Sequence, residues 1–595
     1  MALVIGQRAR LEFALQQGTA ELDAQSVTAQ RVKQVEVQRM SVSAPVSTEE
    51  IESFPLSSRG IMNLAGIAPG IKTYAPQSGR TRPSGGVAPD LRFFKETHLR
   101  RVDRATLNID NGWGSHVLKF GVELSSIAAT QNQPNNTNGS FNFLTDTSSL
   151  PNTASIAVGF TDPNGTSDAI ATATGYTTGV YINDEWRIRP NFTVSLGVRH
   201  DAELNTMNNK YVTPWSKDPV LQAIPELQNY LNAGNRKNQL GNISPRVSFS
   251  WDPFKTNRTF VRGGVGIIYD GVPSFMGFQE RRNSTWRTYN FTFNNTTSLA
   301  TKDPTVLRQR VISGQSGALA PILMNLAMKT PHSRQMSVGV GHQLTPEFGV
   351  NLDYVVQHMD NLYVQRNPNY LDKTVTPNRR KLTASYGDIL LWDDIGQSDY
   401  SAVMLQATWQ RKKQRVNIAY TLGFYEGDFD TAGLPNFAYP FLFNRQRTTG
   451  DERHRLVISN ITPLPFKFLL SAVSTFASPR PFGQIDGRDI NLDNITGDDY
   501  PGGTVSSTGN RTARPVDAWA NWYRQVDVRL ARPIFDFNGK KVSLSAEVFN
   551  AFNFKNNLSY GGTQYTAAGA PVATFGVPLS AYGARQGQVG MKVEF

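Results

Sequence analysis

The 595-residue sequence predicts an all-β fold, a transmembrane antiparallel β-barrel with a short N-terminal extension. Three observations predict this fold: short segments of alternating apolar and polar residues, connections that are alternately short and long, and the lack of a long apolar run. Alternation at period two gives a strand one apolar and one polar face, which suits a sheet lying between lipid and water. No segment approaches the roughly 18 consecutive apolar residues that a membrane-spanning helix needs.

Two segments precede the predicted barrel. Residues 1–33 are interpreted as the remnant of an N-terminal β-domain. Residues 34–90 are interpreted as an extended segment, a short helix and a linker rich in Pro, Gly and Ser, and residues 91–595 as the barrel. The amino terminus lacks a basic leader followed by a long apolar core, so we expect a signal peptide upstream of this sequence or a truncated product.

The predicted strands recur from Val117 onward. The stretch from Tyr176 to Trp186 alternates over ten steps of about 3.3 Å, which at a tilt near 45° is about the height of an outer-membrane apolar band. Asp184 is the one charged residue on its apolar face, so we expect it close to a membrane interface. About 13 strands are convincing, and weaker candidates raise the number to about 18.

The connections between the predicted strands alternate in length. The short turns are 189–191, 345–347 and 463–465, and the long polar stretches are 131–175, 205–240, 271–331 and 483–520. Short turns at one end and long loops at the other are typical of outer-membrane barrels. A soluble propeller or tandem sandwiches would show a fixed repeat or more uniform loops. No fixed period is present, although a soluble extracellular β-protein stays open as a hypothesis.

The carboxyl end is the clearest strand. Val589, Met591, Val593 and Phe595 share one face, and the chain ends on the aromatic residue. A final strand of this kind is typical of bacterial outer-membrane proteins, and it resembles the signal read by their barrel assembly machinery. The sequence therefore predicts an outer-membrane location, with outer-membrane lipid and the assembly machinery as partners.

Composition excludes several function classes. The net charge is +12, but no concentrated run of Lys and Arg is present, so nucleic acid is not an expected partner. Without Cys, disulfides and Cys-based metal sites are excluded. Neither a Gly-x-Ser-x-Gly nor a His-Glu-x-x-His motif occurs, so we expect no enzymatic activity and no cofactor.

One long loop is rich in carboxylates. Asp486, Asp489, Asp493, Asp498 and Asp499 lie close together in sequence, and clustered carboxylates can bind Ca²⁺. Their spacing does not match an EF-hand, so the favoured interpretation is a solvated loop without a metal.

A set of short motifs is spread along most of the chain. The motifs are 34–44, 54–59, 64–70, 181–188, 196–199, 244–247, 262–267, 451–455 and 547–553. Together they resemble the plug junction and the barrel of Oar-like TonB-dependent receptors, outer-membrane transporters whose complete barrels have about 22 strands.

The resemblance implies a receptor-type barrel that takes up a scarce solute such as an oligosaccharide, a peptide or a metal chelate. It also implies that 34–90 holds a TonB-box-like segment, part of a plug and a linker, with TonB as a partner. The chain passes from residue 70 through about twenty linker residues into the later barrel, so most of the plug and the first strands are expected to be missing. The alternative function is therefore a passive pore or surface-binding barrel without energy coupling.

Two groups of residues are candidate sites. Val35, Glu36 and Val37 belong to an extended segment that could add a strand to TonB's sheet, although an ordinary linker strand is the competing interpretation. Charged residues on the predicted inner face are candidates for a solute path or for a mutually paired ladder that sets strand register, and both roles can hold at once. These lumen candidates are Arg187, Arg199, Arg246, Arg262, Asp353, Asp527, Arg529 and Glu547.

Overall fold

The structure, a computed structural model, describes most of the predicted barrel. The described residues are 53–55, 93–111, 113–132, 134, 136–143, 148–271, 274–293, 300–314, 319–428, 436–438, 445–494, 496–503, 510–515, 521–537 and 540–594. Val35, Glu36 and Val37 lie outside the described residues, as do segment 1–33, most of 34–90 and Phe595.

Strands make up most of the described chain. In chain order they are β1 (Phe93–Asn111), β2 (Gly114–Asn132), β3 (Ser140–Asn142), β4 (Thr153–Gly159), β5 (Ile170–Arg189), β6 (Phe192–Leu204), β7 (Gln239–Trp251), β8 (Thr259–Tyr269), β9 (Trp286–Thr292), β10 (Ile322–Met324), β11 (His332–Thr345), β12 (Phe348–Asn367), β13 (Leu371–Asp372), β14 (Arg379–Arg380), β15 (Leu390–Arg411), β16 (Gln414–Gly427), β17 (Asn436–Ala438), β18 (Gln446–Arg447), β19 (His454–Pro463), β20 (Leu469–Ala477), β21 (Phe482–Gly483), β22 (Thr512–Ala513), β23 (Tyr523–Phe537), β24 (Lys540–Phe549), β25 (Asn557–Tyr560), β26 (Pro578–Ala581) and β27 (Gln586–Glu594).

The α-helices are short and lie in connections between strands. They are Pro219–Gln222, Ser274–Thr285 and Pro304–Ile312, with 3₁₀ turns at Ser167–Ala169, Pro214–Lys217, Pro225–Tyr230, Pro465–Lys467 and Thr496–Asp498. In the described part of the chain, no helix has the length and apolar character needed to cross a bilayer.

Fifteen strands form one antiparallel meander, which we call the wall. In order they are β1, β2, β5, β6, β7, β8, β11, β12, β15, β16, β19, β20, β23, β24 and β27, each paired with the next. Among the pairings of the described residues, β1 and β27 each have a neighbour on one side only. The predicted all-β antiparallel architecture is confirmed, and the number of strands falls within the predicted range.

The wall has the two faces that the alternation predicts. Val338 on β11 and Leu352 on β12 point outward and are exposed, whereas Asp353 on the inner face is buried. Asp184, the charged residue on the outer face of β5, is within hydrogen-bond distance of His116 of β2, whose Nδ1 lies 2.8 Å from the Asp184 carboxylate. The His116 ring also stacks on Trp186 at a centroid distance of 5.3 Å. The Trp186 ring fits a position near a membrane interface, where Trp is enriched.

The two ends of the wall differ as predicted. Tight turns join β5 to β6, β11 to β12 and β15 to β16 at one end, and the connections at the other end are long. The long connections are not the simple polar loops that the sequence predicts. Those between β2 and β5, β6 and β7, β8 and β11, and β12 and β15 fold together into a body that we call the cap.

The cap has secondary structure and hydrophobic clusters of its own. β4 and β9, from two different connections, pair antiparallel, with β3 on the far side of β4. One buried cluster includes Trp215, Leu221, Leu227, Leu323 and Ile389; a second includes Ile156, Val158, Tyr289, Phe291 and Leu307; a third includes Met207, Met276, Met324, Met328 and Trp392. The cap is therefore a packed body held at the long-connection end of the wall.

Candidate functional site

The inner face of the wall carries ion pairs that span three strands. Arg262 on β8 reaches Asp353 on β12 across Gly339 on β11, and the three residues are aligned in the strand register. The pair is bidentate and buried, with 2.9 Å from Nε to Oδ1 and 2.6 Å from Nη2 to Oδ2. A Cβ at position 339 would lie 1.9 Å from Asp353 Oδ1. Glycine on the middle strand is thus what allows the two charges to meet.

The same arrangement occurs on β2, β5 and β6. Arg199 on β6 places Nη2 3.2 Å from Glu123 Oε2 on β2 and 2.6 Å from Asp201 Oδ1 on its own strand. Gly179 of β5 lies between them, and a Cβ there would come within 2.1 Å of Arg199 Nη2. Such rows hold three strands in a single register, because a slip by one residue would move the charges to the outer face.

A third row lies on the last strands of the wall. Arg529 on β23 donates from Nε to Glu547 Oε1 on β24 at 3.0 Å, and Gln588 of β27 donates to Glu547 Oε2 at 2.6 Å. Asp527 is satisfied by neutral donors, since it accepts the backbone amide of Asn550 at 2.8 Å and the side-chain amide of Gln525. Six of the lumen candidates contact another described side chain: Arg199, Arg262, Asp353, Asp527, Arg529 and Glu547.

Arg187 and Arg246 differ from the other lumen candidates. Both side chains are exposed, and neither forms an ion pair with another described residue. Arg246 lines a hollow of about 410 Å³ on the inner face of β7, β8, β11, β12 and β15, together with Gln335, Gln357 and Tyr400. The hollow thus presents a cation and neutral hydrogen-bonding groups to the lumen.

A larger cleft of about 470 Å³ lies at the long-connection end of the wall, and we call it the mouth cleft. Its lining includes Glu452, Arg455, Arg480, Tyr523, Tyr560 and Tyr582. Arg455 Nη1 lies 3.4 Å from Glu452 Oε1, and Arg480 donates to the Tyr582 hydroxyl at 3.2 Å. The cleft therefore combines charges of both signs with aromatic rings, which suits a polar solute that also has flat or apolar parts.

Sequence reasoning did not identify the mouth cleft. Its residues come from the connections after β16, β20 and β24 and from the strand ends next to them, so they are far apart along the chain. The one available signal was motif 451–455, which contains Glu452 and Arg455 but was quoted only for its family resemblance.

The aspartate-rich loop after β21 is not solvated as predicted. Asp486, Asp493, Asp498 and Asp499 are all buried, so the prediction of a solvated loop is wrong. Basic side chains contact the carboxylates of this loop. Lys373 Nζ, for example, lies 2.6 Å from Asp489. Within the described residues, no group of three or more His, Asp or Glu side chains is arranged to hold a metal ion.

The pKa values of two carboxyls in this loop are shifted in opposite directions. Arg488 donates from Nε to Asp486 Oδ1 at 2.6 Å, and this hydrogen bond holds the pKa of Asp486 below its usual value. Burial, with a further contribution from the charges of Asp493 and Asp489, raises the pKa of Asp499 to about 6. The loop therefore contains one carboxyl stabilised as an anion and one destabilised as an anion.

The predicted assembly signal lies on β27. Val589, Met591 and Val593 are exposed along this last strand of the wall, which pairs with β24 from Lys541–Glu594 to Phe549–Gln586. The structure thus places an apolar strip at the carboxyl end of the wall.

Comparison with known proteins gives a family and a fold. The family model described as "Outer membrane beta barrel domain" matches residues 25–477. The outer membrane transporter YddB from Escherichia coli is similar at 14% identity and a TM-score of 0.53, over 84% of this chain and 55% of that chain. The siderophore receptor PirA from Acinetobacter baumannii has 12% identity and a TM-score of 0.46, over 84% of this chain and 55% of that one.

A mutant of the ferric enterobactin receptor PfeA from Pseudomonas aeruginosa has 12% identity and a TM-score of 0.48, over 84% of this chain and 54% of that chain. The chain thus spans about half the length of these solved structures. A search of the curated proteins finds no match. Because the family model covers well over half of the sequence, the chain belongs to the outer membrane β-barrel domain family and lies in the outer membrane, as its alternating strands predict.

Proposed function

We propose that this chain is a receptor-type barrel that takes up a scarce solute across the outer membrane, of the Oar-like, TonB-dependent kind. The observation that carries the proposal is the mouth cleft, in which Arg455, Glu452 and three tyrosine side chains converge at the end of the wall that carries the long connections. Its volume lies within the range of small-molecule sites, about 300 to 1,000 Å³. The fold-level likeness to YddB, described as an outer membrane transporter, supports the same function.

The solute class follows from the lining of the cleft. Hydrogen-bonding side chains of both charge signs next to tyrosine rings suit an oligosaccharide, a peptide or a metal chelate. A purely apolar solute would cover the polar groups of Glu452, Arg455 and Arg480 without offering them hydrogen bonds.

Energy coupling is the second part of the proposal. Val35, Glu36 and Val37 would pair with TonB by adding a strand to the edge of its sheet. In this arrangement, residues 1–33 are the remnant of an N-terminal β-domain, 34–90 hold the TonB contact, part of a plug and a linker, and 91–595 form the barrel. Backbone pairing of this kind tolerates side-chain changes, whereas a proline within the segment removes a donor.

A passive pore or surface-binding barrel is the second candidate function. The exposed side chains of Arg187 and Arg246 on the inner face favour it, because unpaired guanidinium groups are stable there only in contact with water. A water-filled lumen would let small solutes pass without energy.

The test compares binding with uptake. The purified barrel is titrated with panels of oligosaccharides, peptides and ferric chelates, and uptake of the tightest binder is measured in cells with and without TonB. We expect Arg480→Gln in the cleft to weaken binding by about tenfold, the effect of one lost charged hydrogen bond. The matched control is Arg258→Gln, an exposed arginine in the turn between β7 and β8.

The outcomes separate the two functions. Loss of uptake, with binding retained, in cells without TonB or with Val37→Pro supports the coupled receptor. Uptake that is independent of TonB, together with stepwise conductance in planar bilayers, supports the passive pore. Equal effects of Arg480→Gln and Arg258→Gln on binding would contradict the mouth cleft as the site.

A further inference from the structure

A short N-terminal segment lies against the inner face of the wall. Ser53, Phe54 and Pro55 are the described part of residues 1–92, and all three are buried. The Phe54 side chain, 4% exposed, packs against Val457 and Ile461 of β19. These two residues alternate with outward-facing neighbours and belong to the lumen side of the strand. Phe54 therefore lies inside the barrel, some 400 positions away in sequence from the residues that it contacts.

The surface that receives Phe54 is unusual for a lumen. Val457 and Ile461 of β19, with Leu469 and Val473 of β20, form an aliphatic patch that we call the lumen socket. Elsewhere the inner face carries charged rows such as Arg262 with Asp353. An aliphatic patch facing a water-filled lumen costs free energy in proportion to its area, so a patch of this kind is stable when an apolar side chain covers it.

A polar contact accompanies the apolar one. Arg529 of β23 donates from Nη1 to the backbone carbonyl of Ser53 at 3.3 Å. The same guanidinium is oriented by Glu547 of β24, whose Oε1 accepts from Nε at 3.0 Å. The segment is thus tied to β19 and β20 by packing and to β23 by a hydrogen bond.

The sequence of the segment suits burial in this place. Pro55 follows Phe54 and has no backbone N–H, so this buried segment has one fewer donor to satisfy. The carbonyl of Ser53, which would otherwise be unpaired in a buried position, accepts from Arg529. The Ser53 carbonyl and the Phe54 side chain therefore both have partners on the wall.

We propose that Ser53-Phe54-Pro55 is an anchor through which the N-terminal part of the chain docks in the lumen socket on β19 and β20, with Arg529 as its polar clamp. The anchor holds the N-terminal part on one stretch of the wall. The hollow beside Arg246 belongs to another stretch, β7 to β15, separated from the socket by β16. The anchor stands whether or not the barrel transports a solute.

The first test uses the absence of cysteine from the natural chain. The double variant Ser53→Cys with Ser471→Cys keeps Phe54 and the socket side chains, and Ser471 pairs in register with Arg529, which contacts Ser53. It has one thiol pair, so mild oxidation of the full-length protein in outer membranes can produce one intramolecular disulfide. We expect efficient crosslinking, seen as a linked pair of peptides by mass spectrometry. The matched control is Ser53→Cys with Ser337→Cys, which places the second thiol on β11 in the hollow. Equal yields in both variants, or no crosslink in either, would overturn the anchor.

The second test measures release. In Phe54→Ala, tryptic cleavage of the N-terminal part should become about tenfold faster or more, because the variant loses the buried ring that holds the segment on the wall. Phe54→Leu should keep most of the protection. Phe466→Ala, which removes an exposed ring in the turn between β19 and β20, is the matched control.

Gel mobility of boiled and unboiled samples shows whether the wall is intact in each variant. With an intact wall, unchanged cleavage in Phe54→Ala means that Phe54 does not anchor the segment. If Phe54→Ala is not incorporated into the membrane, the two crosslinking variants, which keep Phe54, decide the question.

Discussion

The wall and the cap use the same apolar residues in opposite ways. Leu352 on the wall is 44% exposed on the outer face, whereas Leu227 in the cap is 0% exposed within a hydrophobic cluster. The wall presents its apolar side chains to lipid, and its polar rows face the lumen. The cap buries its apolar side chains against one another, as a soluble domain does. Apolar surface is therefore stabilised by the bilayer in one region and by tertiary packing in the other.

Buried charge also differs between the two regions. In the wall, Arg262 and Asp353 are held by strand register. In the cap, Arg236 pairs with Glu280 of the helix Ser274–Thr285 at 2.5 Å, and both side chains are buried. Arg236 also donates to the carbonyl of Met324, so it joins two connections, the one between β6 and β7 and the one between β8 and β11. Sheet register places charges in the wall, and loop packing places them in the cap.

The largest expected effect breaks the cap alone. Leu227→Ala should destabilise the cap by about 2–5 kcal/mol, the range for a fully buried leucine. Hydrogen exchange of peptides spanning 215–231 should increase, while the gel shift between boiled and unboiled samples stays that of the native wall. Val306→Ala, at an exposed position of the cap helix Pro304–Ile312, is the control and should have little effect. Loss of the gel shift in Leu227→Ala would mean that the wall depends on the cap.

The next effect breaks the wall alone. Leu544→Arg places a charge on the outer face of β24 and should cost about 2–4 kcal/mol if that position lies near the bilayer midplane. Folding free energy is measured by denaturant titration in lipid vesicles. Ser543→Arg, one residue away and on the lumen side, should cost much less, since the lumen is polar. Equal costs for the two variants would contradict the assignment of the faces.

The smallest expected effect is the pH dependence of the loop 486–499, in which one carboxyl has a raised pKa and another a lowered pKa. The pKa of Asp499, about 6, lies above the unfolded value, so its neutral form stabilises the loop at low pH and this stabilisation is lost as pH rises through about 6. Asp486 has a lowered pKa, so its contribution is lost as pH falls.

Hydrogen exchange of this loop, measured at pH 5 and pH 7.5 and corrected for intrinsic rates, checks the sign. We expect Asp499→Asn to protect the loop at the higher pH and Asp486→Asn to expose it there. Protection by both substitutions, or by neither, would contradict the opposite shifts.

Much of the wall was predictable from the sequence because its rule is local. Period-two alternation identified the strands from Val117 onward, and the inward charges Arg262 and Asp353 were assigned to the correct face. β1 was missed, since Arg100, Arg101 and Arg104 interrupt its apolar pattern. The turn lengths distinguished the two ends of the wall. They did not indicate which strands carry the partner of each charged residue.

The mouth cleft and the cap were not predictable in the same way. Tyr230 donates its hydroxyl to Asp393, 163 positions away, and no local pattern connects two such residues. The aspartate-rich loop was misjudged for the same reason, because Lys373, which reaches Asp489, comes from a different connection.

The sequence by itself determined the all-β fold, the two faces of the strands and the outer-membrane location, since each depends on alternation between neighbouring residues along one strand. The tertiary structure decided which charges pair, how the long connections pack into a cap, and where Phe54 docks on the wall. Those features depend on free energies of contact between distant segments. A sequence pattern records which side chains can be buried, but only the folded chain determines which partners bury them.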